Sequence, residues 1–225
     1  MSVWVITGAN RGIGLELVRQ LVARGDEVIA TARRPEQAME LRGTNPSAIE
    51  KLDVSDPESC TAFGESMSGT TVDMLFNNAG MRADTQAEGG PLAALKPDAL
   101  SSVIETNVLG PIIVTQALSS SLAPRASIVN MSSTLGSIAE TDNTDDWGYS
   151  ISKAGLNMHT RKLASEWPQR IVVSMSPGWV KTDMGGPDAH LDVAVSVKGM
   201  LQVIDDLTLA DSGSFLSYDG TQIPW

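Results

Sequence analysis

The opening residues restrict the fold more than any other stretch. Val3-Trp4-Val5-Ile6-Thr7-Gly8-Ala9-Asn10-Arg11-Gly12-Ile13-Gly14 is an apolar run broken by three glycines, and helical periodicity follows at once. It reads as strand, tight loop, helix. Val3, Val5 and Ile6 suit a buried strand. Gly8, Gly12 and Gly14 remove side chains where the backbone must turn and where a bulky anion can approach the amides opening the helix. Those are the requirements of a dinucleotide pyrophosphate cradle. The spacing G-x-x-x-G-x-G differs from G-x-G-x-x-G, so the ribose logic of that fingerprint has to be sought downstream. Alone, the same residues would also make a glycine-rich turn closing a strand-helix unit.

Downstream, Ile13, Leu15, Leu17, Val18, Leu21 and Val22 recur at helical spacing, and Gly25 supplies a stop. Val28-Ile29-Ala30-Thr31 is a second strand. The residue just past such a strand faces the adenine ribose, where an acid bonds a 2′-hydroxyl and an arginine accommodates a 2′-phosphate. Here stand Ala32, Arg33 and Arg34, with no acid before Glu36. Pro35 starts a short helix ending near Gly43. Residues 48–52 form a third strand leading to Asp53-Val54, and Ser55-Asp56-Pro57 opens another helix. Residues 72–76 make a fourth strand that runs into Asn77-Asn78-Ala79-Gly80. This alternation of strand and helix predicts a parallel sheet with helices on both faces.

Residues 81–96, with Gly89-Gly90-Pro91, read as a long loop. A helical pattern from Pro97 through Asn107 is disturbed at Gly110-Pro111 and resumes through Leu118. Asn107 is a polar residue in an apolar stripe, compatible with a satisfied amide at a kink. Residues 127–131 form a fifth strand with Ser132-Ser133 at its carboxyl end, where ligands sit in such sheets. In the next helix Tyr149, Lys153 and Asn157 lie four apart and share a face. Residues 171–175 make a sixth strand capped by Ser176-Pro177-Gly178, residues 179–192 a lid-like loop, and residues 193–204 an amphipathic helix. Phe215-Leu216-Ser217-Tyr218 makes a seventh strand.

The 225 residues carry no linker or charge run, so residues 1–225 are expected to be one domain. Apolar runs are of strand length, which predicts no membrane partner. Met1-Ser2 leads directly into the first strand with no export leader, and Cys60 is the one cysteine, so a cytoplasmic location is expected. Sixteen Lys and Arg against 27 Asp and Glu give a net charge of −11, which disfavours nucleic acid as partner. An anionic cofactor would then depend on local cations, of which Arg11, Arg33 and Arg34 are candidates. His159, His190 and Cys60 lack metal-ligand spacing, so no metal is expected.

Taken in order, these residues resemble the short-chain dehydrogenase/reductase family over essentially the whole chain. Residues 7–14 match its cofactor loop, Asp53-Val54 its adenine contact, and Asn77-Asn78-Ala79-Gly80 its fourth-strand motif. Asn107, Ser133, Tyr149 and Lys153 match its catalytic set, and Pro177-Gly178 and Thr182 the stretch beside the nicotinamide. Residues 177–186 and Tyr218-Asp219-Gly220 look most like the C-factor-like and carbonyl-reductase-like branch.

The resemblance implies a single-domain, doubly wound Rossmann fold of the α/β class with a seven-stranded parallel sheet. It implies cofactor contacts from Gly8, Asn10, Arg11, Gly12, Ile13, Gly14, Arg33, Asp53, Val54, Asn78, Ala79, Gly80, Tyr149, Lys153, Pro177, Gly178, Val180 and Thr182. It also implies a small-molecule carbonyl or alcohol substrate and a homo-oligomer, dimer or tetramer. Residues 141–147 look like a small insertion between serine and tyrosine. Ser133 is preferred to Ser132 because it precedes Thr134-Leu135-Gly136.

A phenol with a pKa near ~10 is a poor proton shuttle at neutral pH, and a lysine one turn away is expected to lower that value. On this reading Tyr149 is the acid/base, Lys153 tunes it and holds the nicotinamide ribose, Ser133 bonds the substrate oxygen, and Asn107 seats a proton-relaying water. NADP (NADPH) is the expected cofactor. Two rival readings share the fold: a dinucleotide-binding signalling protein of C-factor type with little turnover, and a lyase or dehalogenase.

Overall fold

The computed structural model describes residues 2–82, 96–142 and 146–225. Its centre is a seven-stranded parallel sheet: β1 (Val3–Ile6), β2 (Glu27–Ala32), β3 (Ala48–Lys51), β4 (Val72–Asn77), β5 (Leu122–Met131), β6 (Ile171–Ser176) and β7 (Phe215–Ser217), in the order β3-β2-β1-β4-β5-β6-β7. The order reverses between β1 and β4. A crevice opens beyond the carboxyl ends of the strands at such a reversal. The two strands flanking it carry the glycine loop and Asn77-Asn78-Ala79-Gly80.

Helices cover both faces because successive strand residues point to opposite sides. Trp4 and Ile6 of β1 pack beneath α1 (Gly12–Ala23) and α7 (Val193–Asp205), meeting Leu17, Val18, Leu21, Val197, Met200 and Ile204. Val5 points the other way. With Ile29, Leu75, Ile128 and Val172 it meets α3 (Pro57–Ser66), α5 (Gly110–Ala117) and α6 (Trp147–Glu166) through Cys60, Phe63, Val114 and Leu163. The sheet is therefore buried on both faces, and the expected fold class holds.

Local differences from the sequence reading have identifiable causes. The stretch after Pro35 is a 3₁₀ turn (Pro35–Gln37) and then the short α2 (Met39–Gly43), because non-helical Ala38 and Leu41 turn into the core under α1. The disturbance in the long helix lies before Gly110-Pro111. After α4 (Pro97–Ile104) comes a π turn, Glu105–Leu109, before α5. Pro111 has no N–H to give the carbonyl of Asn107 four residues earlier, so the α-helical ladder cannot run through this point. Strand β5 begins at Leu122, five residues earlier than expected, through a register shift between Val72 and Met74 on β4. Its first half shows no alternation because Pro124 and Arg125 face solvent.

A buried polar network ties the strands under the crevice. The Asn77 amide donates to Asn130 Oδ1 (2.9 Å) and Thr115 Oγ1 (3.2 Å), and the Asn130 amide and the Ser174 hydroxyl both donate to Thr160 Oγ1 (2.9 and 2.8 Å). Interior bonds of this kind fix a register that apolar packing alone leaves adjustable, although Asn77 Oδ1 itself has no partner among the described residues. Among the described residues, no helix is long and apolar enough to cross a membrane. The expected loop at 81–96 falls mostly outside the described residues, as does part of the 141–147 insertion.

Candidate active site

The glycine loop is pinned from β2 and from the chain leaving β4. Ala9 N donates to Thr31 O on β2 (2.8 Å), Ala79 N donates to Thr7 Oγ1 (2.9 Å), and the Asn78 amide donates to Thr7 O and Gly8 O (2.9 and 3.1 Å). The amide hydrogens of Asn78, expected at the cofactor, are thus spent on the loop. Gly8 has φ +64°, and a Cβ there would lie 2.9 Å from the Cα of Ala79. Gly14 has no room either: a Cβ would sit 2.5 Å from both Asn78 Nδ2 and Gly8 O.

Helix α1 begins with no side-chain cap and no acid in its first turn. A helix start normally recruits such a group for its free N–H donors. Here those donors and the partial positive charge of the helix end are left for an anion. The residues therefore fit a dinucleotide pyrophosphate, with Asn10 and Arg11 exposed and Ile13 packed against the core.

Beyond β2, Arg33 and Arg34 are exposed, and no ion pair with another described residue engages either. Arg11 differs, being paired with Asp183 at 2.8 Å. Asp53 Oδ1 accepts from Ser55 N and Oγ (3.1 and 2.7 Å), and Val54 is buried against Gly110. The segment after β6 folds over the loop. Gly178 has φ +76°, Val180 bridges Leu191, and Thr182 Cγ2 lies 3.6 Å from where a Gly12 Cβ would stand. The Pro177 carbonyl accepts from Ser196 Oγ at 2.6 Å, anchoring this segment to α7. Trp179, half exposed there, stacks edge-on against His190 at 4.6 Å.

Ser133, Tyr149 and Lys153 converge beyond the carboxyl end of β5. Tyr149, half-buried in the first turn of α6, is hydrogen-bonded to Ser133. Ser132 turns away, donating to Asn157 Oδ1 (2.7 Å) in the interior. Lys153 is buried; its Nζ donates to Met131 O at 2.7 Å and stands 5.3 Å from the centre of the Tyr149 ring. A Cβ on Gly136 would lie 2.8 Å from Lys153 Cβ, so the turn after Ser133 can pack this close to α6 only with glycine.

Asn107 is fully buried in the π turn. Its Oδ1 accepts from Met81 N (2.8 Å), and its amide donates to Met81 O (2.8 Å) and Ser152 Oγ (2.9 Å). Both amide hydrogens are spent, leaving one lone pair of Oδ1 as the side chain's remaining capacity. A Cβ on Gly80 would lie 3.3 Å from Asn107 Oδ1 and 3.6 Å from Lys153 Nζ, so Gly80 separates the two.

The electrostatics depart from the expectation that lysine lowers the tyrosine pKa. Burial pushes the Tyr149 phenol up to about 12, against opposing contributions from Arg82 and the Ser133 hydrogen bond, with Asp146 adding to the rise. Burial likewise brings Lys153 down to about 8. Desolvation penalises the charged form of each, and at about 8 the lysine still carries most of its charge at neutral pH.

Sequence reasoning missed Arg82 and Asp146. Arg82 follows Gly80-Met81, Asp146 stands three residues before Tyr149, and their side chains form a two-bond ion pair beside the phenol. Only their closeness to two motifs could have drawn attention to them. Cys60 is a buried filler whose thiol burial pushes up to about 11. Among the described residues no cluster of His, Cys, Asp or Glu could hold a metal.

A glycine loop at the reversal of a doubly wound sheet, facing a serine, a tyrosine and a lysine, defines an oxidoreductase fold built around a nicotinamide dinucleotide. Residues 2–190 match the short chain dehydrogenase family model, and the chain belongs to that family. It is 39% identical to the C-signal protein of Myxococcus xanthus over 168 residues, 73% of this chain and 99% of that one. Among solved structures it is similar to the carbonyl reductase Sniffer of D. melanogaster (34% identity, TM-score 0.92, all of both chains). It is also similar to NADPH-bound carbonyl reductase from chicken fatty liver (33% identity, TM-score 0.88, 100% of this chain and 99% of that one).

Proposed function

We propose that this protein is an NADP(H)-dependent reductase that interconverts a ketone or aldehyde with its alcohol. The observation that carries the reading is the meeting of Ser133, Tyr149 and Lys153 at one end of the crevice whose other end is the uncapped start of α1. A phenol with a pKa of about 12 is protonated at neutral pH, the form that donates to a carbonyl oxygen.

The substrate oxygen is held between the Ser133 and Tyr149 hydroxyls. As negative charge develops on it, Ser133 stabilises the charge by a hydrogen bond and Tyr149 transfers its proton. Lys153, brought down to about 8 by burial and still protonated at neutral pH, gives a proton back to the tyrosine and bonds the ribose. Asn107 holds Met81, and through Ser152 the first turn of α6, so that Gly80 stays beside Lys153; its free lone pair is the acceptor for a relaying water.

The nicotinamide cofactor supplies the hydride when bound. Its pyrophosphate is assigned to the backbone of Gly8, Asn10, Arg11, Gly12, Ile13 and Gly14, and its adenine end to Arg33, Asp53 and Val54. The walls around its nicotinamide half are Asn78, Ala79, Gly80, Pro177, Gly178, Val180 and Thr182. Chicken carbonyl reductase, similar over the whole chain, was solved with NADPH, which supports the choice of NADP.

The test is the loss of NADPH absorbance with a panel of ketones and aldehydes. Turnover supports the reading, whereas tight NADPH binding with no turnover on any carbonyl favours the signalling alternative suggested by the similarity to C-signal. The cytoplasmic location and the dimer or tetramer remain part of this proposal. Ile151 and Met158, seven apart on α6 and 43% and 60% exposed, are apolar surface that a second copy would cover, and light scattering checks it.

A further inference from the structure

We propose that Arg82 and Asp146 are a positioning pair for Tyr149, a rigid and nearly neutral couple of opposite charges that balances the field at the phenol. The proposal rests on the reading of Tyr149 as the proton donor. Three observations carry it.

The first is geometry. Arg82 Nε donates to Asp146 Oδ1 at 2.8 Å, and a second guanidinium nitrogen donates to Oδ2, the two-pronged arrangement in which arginine and carboxylate hold each other most rigidly. The pair joins the chain leaving β4 to the start of α6, 64 residues apart in sequence, with the carboxylate mostly covered (20% exposed).

The second is what Asp146 forgoes. It stands at the N-cap of α6, where an aspartate normally accepts from the helix's own first N–H groups, yet its side chain makes no such bond. Its backbone is left-handed, φ 52° and ψ 41°, unusual for a residue with a Cβ. The aspartate forgoes the capping bond its position offers, and the chain adopts a disfavoured conformation, in a place where the carboxylate reaches Arg82.

The third is the set of groups facing the phenol. From the chain after β4 comes Arg82, from the start of α6 Asp146, from the turn after β5 the Ser133 hydroxyl, and from the next turn of α6 Lys153, its Nζ 5.3 Å from the ring centre. Arg82 eases ionisation of Tyr149 and Asp146 opposes it. Because the two are bonded, removing either leaves the other's charge uncompensated beside the reacting hydroxyl. A strut that merely closed a loop would have no such paired, opposite effect.

The chain has two tyrosines, so a Tyr218→Phe background leaves Tyr149 as the sole reporter. With 3,5-difluorotyrosine incorporated to bring the titration into an accessible range, ¹⁹F NMR reads its midpoint without turnover. Asp146→Asn should lower the midpoint and Arg82→Met raise it, each by about half a pH unit or more, and the double variant should return close to the parent. Asp146→Gly, which suits the left-handed backbone and also removes the charge, should lower the midpoint like Asp146→Asn and guards against a misfolded variant.

Midpoints that stay within about 0.2 units while both variants lose stability would reduce the pair to a strut and overturn the proposal. Shifts of the same sign in both single variants would overturn it as well. Failure of the underlying reading looks different: Tyr149→Phe would keep its turnover while the midpoints still moved as stated.

Discussion

The Lys153 ammonium donates to the main-chain oxygen of Met131, the last residue of β5, at 2.7 Å. One of its three donors is thereby fixed to the sheet, and the ion is held near the Tyr149 ring at the cost of burial that brings it down to about 8. The consequence for stability has a definite sign. Between pH 8 and 10.5 the unfolded chain keeps the lysine proton while the folded chain has released it, so stability rises with pH through that window. Lys153→Met lacks this contribution. Subtracting urea-unfolding free energies of the variant from those of wild type should give a difference that climbs from pH 8 to 10.5, with the opposing contribution of Cys60 cancelling. A flat difference would mean that Lys153 is not depressed in the folded protein.

Tyr149→Phe removes the proton donor and leaves the walls of the crevice in place. Turnover should fall at least about 100-fold, the usual contribution of a positioned general acid, with NADPH affinity nearly unchanged by fluorescence titration. Lys153→Met should lose both quantities. A Phe variant with wild-type turnover would remove Tyr149 from the reaction.

The strands, their parallel arrangement and the two helix-covered faces were legible because strict residue patterns carry them: apolar runs at strand length, helical periodicity, and glycines where the backbone must turn. The fold and family expected from those patterns are the ones found. The interior polar network of Asn77, Thr115, Asn130, Thr160 and Ser174 was not legible, since hydrogen bonds between distant polar side chains leave no periodic trace. For the same reason the Arg82–Asp146 pair was invisible. The structure brings Ser133, Tyr149 and Lys153 together, as their order along the chain suggested. It also shows that Asn78 and Asn107, which looked like ligand-facing amides, spend their amide hydrogens on the protein's own backbone and on Ser152. Burial, which sequence does not display, sets the upward direction of the Tyr149 shift against the contribution of Arg82.

Arg11 and Asp183 join the glycine loop to the segment after β6 through a pair in which both side chains are mostly exposed, 66% and 79%. Such a pair adds little to stability. Its expected effect is on binding, because Asp183 neutralises a cation beside the phosphate cradle. Asp183→Asn should leave the melting temperature within about 2 °C of wild type while lowering the dissociation constant for NADPH and steepening its salt dependence. Weaker NADPH binding in this variant would show instead that the bridge holds the segment closed over the cofactor.

The last prediction concerns the choice between NADP and NAD, and it turns on Arg33. Strand β2 ends at Ala32, which has no carboxylate to bond a ribose 2′-hydroxyl. Arg33 and Arg34 follow it, exposed and engaged in no ion pair with another described residue. Arg11 is held by Asp183, so the pair after β2 is the better placed source of charge for a 2′-phosphate. A guanidinium offers planar donors that bond a phosphate in pairs. A protein of net charge −11 otherwise repels the additional phosphate, so any preference for NADP has to come from local cations and should weaken as salt screens them. Arg33→Ala should raise the dissociation constant for NADPH about tenfold or more, the size of one charged hydrogen-bonded contact, with little change for NADH. Both constants are read from fluorescence titrations at two salt concentrations, and high salt should shrink the difference between wild type and variant. Equal losses for the two cofactors would show that Arg33 supports the shape of the loop, and the assignment of NADP would fall with it.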